Sequence, residues 1–440
     1  MRIEKLRRCF LNSQFSILSS VVALAAVLSA ALMLAPAHAA SDVIHYKYWA
    51  RLVTVEGIAR AYSGTYPETA AIYPPLTMYG YRLAGLVYQA AVEPSFDLDR
   101  ALGSRALSLL VKLVAVIPHL VTIGAIFWLL RVRNRTASGS AGPRIAVAAA
   151  AAYGLNPASL FDLAYWGQPD SVHALFLLLA IWCLEEGRSL WGWGFAGLAA
   201  TAKPQVWALL PFVAYVSVRR FGFAKSTLGV AVAVLVGLGV CLPFLLAGTF
   251  GDLLSLPGLI TSTMPVVSAN AHNLWWLATE ARPEFVFDAE PLLGPFTYRQ
   301  LAAALTVAVY GYGLWKTDPR GRDGALLAMA AYVAFGWFVV TTRAHENHAF
   351  MVLPLLAVAA PRSYFLMAAF AIISATQFLN MALHDFSLEP LRESLLGAEA
   401  WVRLQLLNAG LNVALFVAWS AWVWRRGPLR HGRETDYRPA

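Results

Sequence analysis

Residues 15–36 read FSILSSVVALAAVLSAALMLAP, a stretch without a charged side chain. A run of about 20 apolar residues is long enough to cross the hydrocarbon core of a bilayer as a helix. Similar runs recur along the chain, for example GALLAMAAYVAFGWFVVT over residues 324–341. Because these runs are continuous rather than alternating, and because lipid cannot satisfy unpaired backbone groups, they predict transmembrane helices rather than a barrel.

The composition excludes an ordinary soluble protein. Hydrophobic residues make up 59% of the chain and charged residues 13%, against about 25% charged residues in soluble domains. The net charge of +9 indicates membrane orientation rather than nucleic-acid binding, because Arg and Lys lie in short loops between apolar runs. Cys9, Cys183 and Cys241 are scattered, so they predict neither a disulfide framework nor a metal site.

The N-terminus resembles a cleaved signal peptide, with a basic start at residues 2–8 and Ala37-His38-Ala39 in the place of a cleavage site. The apolar run between them is longer than the usual 7–15 residues of such peptides. We therefore interpret it as an uncleaved first span with its N-terminus in the cytoplasm. A mature chain beginning at Ala40 would contradict this interpretation.

The charges of the loops predict a topology. The loops expected in the cytoplasm lie at 131–144, 185–188, 219–225, 316–323, 361–362 and from 425 onward, and most of them are rich in Arg and Lys, as is typical of the cytoplasmic side. The loops expected on the outer, non-cytoplasmic side are 37–102, the Trp166 region, 248–298, 342–348 and 385–400. Residues 37–102 form the first outer loop, with an interfacial helix at 74–92, and residues 248–298 form the large outer loop.

The sequence thus predicts an all-α membrane protein, one polytopic helical bundle over residues 1–440 with about twelve spans and both termini inside. The predicted spans are 15–36, 104–131, 145–160, 166–184, 189–201, 204–218, 226–247, 299–316, 324–341, 349–360, 363–384 and 401–424. Several are too short to cross as straight helices, which is tolerated only where protein or water shelters them.

Two polar motifs lie in the first outer loop. Asp42 follows the first span directly, where a carboxylate could take a proton from a hydroxyl group; it could equally be an acidic residue of a helix first turn. Tyr73-Pro74-Pro75-Leu76 contains two prolines that end the preceding segment. By itself this second motif is typical of a plain helix start.

Two further motifs join predicted spans. Trp166-Gly167-Gln168-Pro169-Asp170 is polar at membrane depth, which is costly and often functional, although Asp170 could be a first-turn residue favoured by the helix dipole. Lys203 lies between two short apolar runs. It could bind an anionic phosphate or extend its ammonium group to the membrane interface.

The last two motifs lie in later outer loops. Tryptophan is common at the interfaces between membrane and water, which explains Trp275 and Trp276. This preference does not explain the neighbouring Asn270, His272 and Asn273.

Arg343, His345, Glu346 and His348 are crowded between two apolar spans. They would suit a phosphate; a solvated loop or a metal site with two imidazoles and a carboxylate are the alternatives. The spacing differs from the His-Glu-x-x-His of metalloproteases.

In this order the motifs resemble the GT-C superfamily of integral membrane glycosyltransferases, above all the dolichyl-phosphate-glucose glucosyltransferases and their bacterial relatives. The likeness rests on Asp42, Tyr73-Pro74-Pro75-Leu76 and Ala344-His345-Glu346-Asn347-His348. It extends to Trp166–Asp170, Lys203-Pro204-Gln205 and Asn270–Trp275, which look like motifs of the bacterial branch. The chain departs from the family at Ile72, where an aspartate is usual, and at Asn347, where a lysine is common.

The resemblance implies a hexose donor, mannose or glucose, carried on a polyprenyl phosphate, and a glycan or lipid acceptor. Asp42 would be the catalytic base of an inverting transfer. The donor phosphate and sugar would be bound by His345, Glu346, His348, Arg343 and Lys203. Other substrate contacts would come from Tyr73, Trp166, Gln168, Asp170, Asn270, His272 and Asn273. No cofactor is implied and a metal is not required, although enzymes of the oligosaccharyltransferase branch use one.

The main alternative is a transporter or flippase of lipid-linked sugars. Transporter sites commonly lie near the bilayer midplane between repeats, whereas this sequence shows no repeat and most of its motifs fall on one side. A structural assembly subunit would not need so many ionisable groups at membrane depth. With no organelle signal, the expected location is a bacterial inner membrane with a periplasmic active site, in contact with lipid and not with nucleic acid.

Overall fold

The computed structural model describes residues 2–35, 40–63, 71–133, 141–282, 286–395 and 397–426. This part of the chain is α-helical apart from short helical turns, loops and one antiparallel hairpin, β1 (Pro291–Leu293) with β2 (Phe296–Thr297). The predicted all-α class is therefore confirmed. The possible cleavage site Ala37-His38-Ala39 lies outside the described residues.

The helices fall into two halves on either side of the large outer loop. The first half contains α1 (Arg2–Leu34), α2 (Ala40–Val55), α3 (Pro75–Ala91), α4 (Leu98–Gly103), α5 (Arg105–Arg133), α6 (Ala141–Gly154), α7 (Pro157–Leu160), α8 (Asp170–Glu185), α9 (Ser189–Ala200), α10 (Leu210–Phe221), α11 (Phe223–Val240) and α12 (Leu242–Leu246). The loop and the second half contain α13 (Phe250–Leu254), α14 (Leu256–Thr263), α15 (Leu274–Ala278), α16 (Tyr298–Lys316), α17 (Ala325–Val340), α18 (Val352–Ala359), α19 (Tyr364–His384), α20 (Glu389–Leu395) and α21 (Gly397–Arg426).

Five helices in the described part are long and apolar enough to cross a membrane: Phe15–Leu34, Arg105–Arg133, Phe223–Val240, Tyr364–His384 and Gly397–Arg426. Each of the other seven predicted spans coincides with a shorter or less apolar helix, or with a pair of short helices. The predicted segments are thus helical, while the crossing of all twelve stays a prediction. The expected interfacial segment 74–92 is also a helix, α3.

The helices differ in burial in the way that a membrane bundle requires. Helix α17 is buried along nearly its whole length and packs against α8, α16, α18 and α21, which places it at the centre of the core. By contrast, only 11% of the residues of α11 are buried inside the protein. Helix α11 meets α9 through a small residue: a Cβ on Gly197 would lie 2.8 Å from the carbonyl oxygen of Ala233. Small residues allow such close backbone contact between membrane helices.

The loops predicted to be cytoplasmic gather at one end of the bundle. The buried Glu185 carboxylate, at the end of α8, forms an ion pair with Arg133 at the end of α5. It also accepts hydrogen bonds from the backbone N–H groups of Gly324, at 2.5 Å, and Leu326, at 3.0 Å. Arg220, at the end of α10, donates to the Glu185 carbonyl oxygen at 2.7 Å. Four of the loops predicted to be cytoplasmic therefore share one end of the molecule.

We expect Glu185→Ala to lower the free energy of unfolding by about 3–5 kcal/mol, because Arg133 would remain as a buried charge without its partner. The matched control is Glu186→Ala, since Glu186 is the exposed neighbour and its loss should change stability by less than about 0.5 kcal/mol. Both variants would be unfolded in detergent and followed by circular dichroism. Equal stability of the two variants would contradict the structural role of the Glu185 cluster.

Candidate active site

The predicted base, Asp42, lies in the first turn of α2, which starts just after the first predicted span. Its Oδ2 accepts a hydrogen bond from Gln168 Nε2 at 2.8 Å. Burial raises the pKa of Asp42 above its usual value, against the opposing effect of the positive charges of His45 and Lys203. A carboxylate with a raised pKa has a stronger affinity for protons, which suits it to act as a base.

Gln168 holds the centre of a hydrogen-bond network. Its Oε1 accepts from the hydroxyl groups of Tyr46, at 2.8 Å, and Tyr73, at 3.0 Å. With both tyrosines donating to the oxygen, the amide nitrogen is directed at Asp42. Lys203 Nζ lies 3.5 Å from the same oxygen. Burial raises the pKa of Tyr73 to about 12, so its hydroxyl group stays protonated and remains a donor.

The network joins the first outer loop to the turn after α9. The backbone N–H of Leu76, in the Tyr-Pro-Pro-Leu motif, donates to the Thr201 carbonyl oxygen at 2.8 Å, and Thr77 Oγ1 donates to the Ala202 carbonyl oxygen at 2.7 Å. The start of α3 therefore fixes the backbone on which Lys203 stands. Helix α3 in turn packs closely on α2: a Cβ on Gly85 would lie 2.7 Å from the Ala50 carbonyl oxygen.

Lys203 is the buried cation of the site. Its ammonium group forms an ion pair with Asp170, in the first turn of α8, and lies 5.0 Å from the centre of the Tyr73 ring. Burial alone would lower the pKa of Lys203, but the negative charge of Asp170 outweighs it and raises the pKa. The Lys203 ammonium group thus stays positively charged. Because it pairs with Asp170, Lys203 lies at the same end of the bundle as Asp170.

Residues 345–348, the histidine loop, reach the same cluster through Asn347. Asn347 Nδ2 donates to Asp170 Oδ2 at 2.7 Å, and His173 Nδ1 lies 3.8 Å from Asp170 Oδ1. The contacts therefore run from Asp42 through Gln168, Lys203 and Asp170 to residues 345–348. Asp42 and this loop, about three hundred residues apart in sequence, belong to one buried polar cluster.

The histidines of this loop are neutral rather than cationic. Burial lowers the pKa of His345 to about 4, and the positive charge of Lys203 acts in the same direction. Burial also lowers the pKa of His348 well below its usual value. The two rings lie 5.0 Å apart, and His348 stacks on Trp337. They can offer hydrogen bonds to a phosphate, but the positive charge of the cluster comes from Lys203.

Glu346 lies inside the same loop with an unusual environment. Its Oε2 is buried and has no hydrogen-bond partner in the described part of the chain. Gln377 Nε2 holds the Glu346 backbone carbonyl oxygen at 3.0 Å. Burial, with the negative charge of Asp42 contributing, raises the pKa of Glu346 to about 8.

Arg343, predicted to bind the donor phosphate, is engaged elsewhere in this structure. Its Nε and Nη2 bind the two carboxylate oxygens of Asp288 at 2.6 and 3.1 Å, and its Nη1 donates to the Thr261 carbonyl oxygen. This bidentate pair fastens the large outer loop to the histidine loop. A backbone hydrogen bond of 2.8 Å from Ala269 to the Ala344 carbonyl oxygen adds to the same junction.

Other predicted substrate residues also make bonds within the chain. His272 Nε2 lies 3.0 Å from His384 Nε2, and His272 Nδ1 lies 2.8 Å from Asn408 Nδ2. Asn273 caps α15 and donates to the carbonyl oxygens of Phe338 and Thr341.

The same holds for the backbone at Asn270 and for the ring of Trp166. The Asn270 carbonyl oxygen accepts from Asn380 Nδ2 at 2.7 Å. Trp166 Nε1 donates to Asp385 Oδ2 at 2.5 Å. These contacts hold the large outer loop and the turn before α8 against α19, which gives both residues a positioning role.

Four residues of the cluster were missed as site residues by sequence reasoning: Tyr46, Asp162, His173 and Asn347. Two of them carried a signal, since Tyr46 is four residues after Asp42 and His173 is three after Asp170, the spacings that share a helix face. Asp162 is an ionisable residue in an apolar run, which is also a functional indication.

The described residues place no three His, Cys, Asp or Glu side chains where they could share one metal ion. No protein-family model matches the chain, and no curated protein matches it. The assignment of function therefore depends on the chemistry of the cluster itself.

Proposed function

We propose that the chain is an inverting glycosyltransferase of the GT-C type. It would move a hexose, mannose or glucose, from a polyprenyl-phosphate carrier to a glycan or lipid acceptor at the outer face of a bacterial inner membrane. One observation carries the proposal: the Asp42 carboxylate, held by Gln168, is linked by direct contacts to a buried lysine and to the histidine loop. A base and a phosphate-binding cation in one cluster are the two parts that such a transfer needs.

The first step would belong to Asp42. Gln168 holds Oδ2, which leaves Oδ1 to take the proton from the acceptor hydroxyl group. As that proton leaves, the acceptor oxygen attacks the anomeric carbon from the side opposite the phosphate. The bond between the anomeric carbon and the phosphate oxygen breaks, and its electron pair goes to the lipid phosphate. The configuration at the anomeric carbon is thereby inverted.

The second requirement is stabilisation of the leaving phosphate. Lys203 supplies the positive charge, and the neutral imidazoles of His345 and His348 supply hydrogen bonds. Donor groups fixed in a site sheltered from water stabilise developing charge by several kcal/mol. Asp170 holds the lysine in place before the substrate arrives. Arg343 would act indirectly, by fastening the loop that contains the histidines.

The two ends of the bundle support the proposed orientation in the membrane. The Glu185 cluster gathers the basic loops, and basic loops face the cytoplasm. The Asp42 cluster lies among loops predicted to be outside, which supports a periplasmic site. We propose that all twelve predicted segments cross or line the membrane, with the shorter ones sheltered by the bundle.

The decisive experiment supplies purified protein in liposomes with radiolabelled polyprenyl-phosphate mannose or glucose and with glycolipid extracted from bacterial membranes. We expect transfer of label to the extract, release of free polyprenyl phosphate and an inverted anomeric linkage. The alternative of a flippase predicts movement of the intact donor between leaflets without a product. That result would contradict the transferase, and protein-free liposomes are the control for both.

A further inference from the structure

The buried cluster contains more acids than bases. Four carboxyl groups lie in it: Asp42, Asp162, Asp170 and Glu346. The ammonium group of Lys203 is paired with Asp170, and its charge acts on the other three. His345 and His348 do not restore the balance, because they have lowered pKa values and are neutral, and His45 faces Asp42. Buried carboxylates without partners cost several kcal/mol each, and an excess of them would repel an anionic phosphate.

Asp162 is the extreme case. It lies on the π-helical turn Phe161–Tyr165 and is fully buried, beside the carboxyl group of Asp170 and the side-chain amide of Asn347. The groups that face it are Asp170, Lys203, Asn347 and Tyr153. Lys203 and Asn347 both make their hydrogen bonds to Asp170. An ionised Asp162 would therefore be a second buried negative charge beside Asp170, whose partner Lys203 is already engaged.

Glu346 repeats the pattern on the histidine loop. Its Oε2 is buried without a partner, and the charged groups that act on it are Asp42, Lys203 and Asp170. A metal ion could in principle neutralise both acids. The described residues do not place three ligands around one point, so protons are the simpler source of neutrality.

We propose that Asp162 and Glu346 are carboxylic acids, protonated at neutral pH, and that their two protons allow an anionic phosphate to enter beside Lys203. Asp162 is then a positioning residue of the site, which keeps Asp170 and Lys203 paired without adding charge. The identity of the ligand as a phosphate rests on the proposed function. The protonation of the two acids does not, because it follows from their burial and from the neighbouring carboxyl groups of Asp170 and Asp42.

The direction of the pH effect is fixed by these acids. Burial raises the pKa of Asp162 well above its usual value, and Asp170 adds to the effect, while the pKa of Glu346 is raised to about 8. The protons are therefore present at neutral pH. As the pH rises through about 8, Glu346 ionises, the cluster gains negative charge, and phosphate binding weakens.

The test compares Asp162→Asn, Glu346→Gln and their combination with wild type, because an amide has the shape of a neutral acid but cannot ionise. The first readout is infrared spectroscopy of detergent-purified protein. We expect the C=O stretch of protonated carboxylic acids at neutral pH, reduced in each single variant. Glu186→Gln, an exposed acid at the opposite end of the bundle, is the control and should leave this band unchanged.

The second readout is binding of undecaprenyl phosphate between pH 7 and 9, with inorganic phosphate in parallel to separate the lipid from the free anion. We expect wild-type affinity to fall about tenfold per pH unit above the pKa of Glu346, and the combined variant to lose this dependence. Infrared bands that do not change in either variant would overturn the proposal. So would a folded double variant that no longer binds at neutral pH. Failure of the glycosyltransferase assay would leave the infrared result standing, so the two proposals fail separately.

Discussion

Asp42→Asn should reduce sugar transfer by about 10²–10⁴-fold, the usual contribution of a positioned base. The amide has nearly the same shape as the carboxylate, and its oxygen can still accept the hydrogen bond from Gln168 Nε2. It cannot take a proton from the acceptor. Because Asp42 does not hold the phosphate in this mechanism, the affinity for undecaprenyl phosphate should stay close to that of wild type. Transfer rate and lipid binding would be measured on the same preparation.

The pH profile gives a second readout of the same residue. The base is active only when ionised, and burial raises its pKa above the usual value. Transfer at low donor concentration should therefore fall as the pH drops through this raised pKa. Asp99→Asn is the matched control, since Asp99 is an exposed acid of the same outer loop. Full activity of Asp42→Asn, or equal losses in both variants, would refute the assignment of the base.

The second large effect is expected at the buried ion pair. Lys203→Met removes the cation and leaves Asp170 unpaired in the core, so the free energy of unfolding should fall by about 3–5 kcal/mol. The same change should abolish binding of undecaprenyl phosphate. Lys225→Met is the control, because Lys225 is exposed at the other end of the bundle. Thermal unfolding in detergent and lipid binding are the two measurements.

A double variant separates stability from binding. Lys203→Met with Asp170→Asn removes both charges, and replacing both partners of a buried pair is often close to neutral for stability. We expect the double variant to recover most of the lost stability without recovering lipid binding. If it recovers both, Lys203 serves only to neutralise Asp170 and does not bind phosphate. If Lys203→Met alone keeps binding, the role of the lysine in the proposed reaction is wrong.

The helices were largely predictable from sequence, because a long run of apolar residues directly indicates a helix in a lipid environment. All twelve predicted segments are helical, and α3 lies where an interfacial helix was expected. The loop charges also predicted which loops share an end, as the contacts of Glu185 with Arg133 and Gly324 demonstrate. What charge cannot predict is how many of the shorter helices cross.

The contacts inside the candidate site were less predictable, because a motif does not name its partner. Nothing in the sequence pairs Arg343 with Asp288, and that pairing gives the arginine a structural contact that was not predicted. His272 likewise binds His384 and Asn408 from two distant helices. Asp162 was missed because the sequence does not show that this acid lies beside Asp170 and Lys203.

The first outer loop also determines the distance between Asp42 and Lys203. Helix α3 lies against α2, which carries Asp42, and its first turn holds the backbone of residues 201–202 through Leu76 and Thr77. Helix α3 thus fixes the distance between the carboxylate of Asp42, the proposed proton acceptor, and the ammonium group of Lys203. In the proposed reaction, donor and acceptor would have to fit the distance between these two groups, so the choice of substrate would depend partly on a segment that contributes no reactive group.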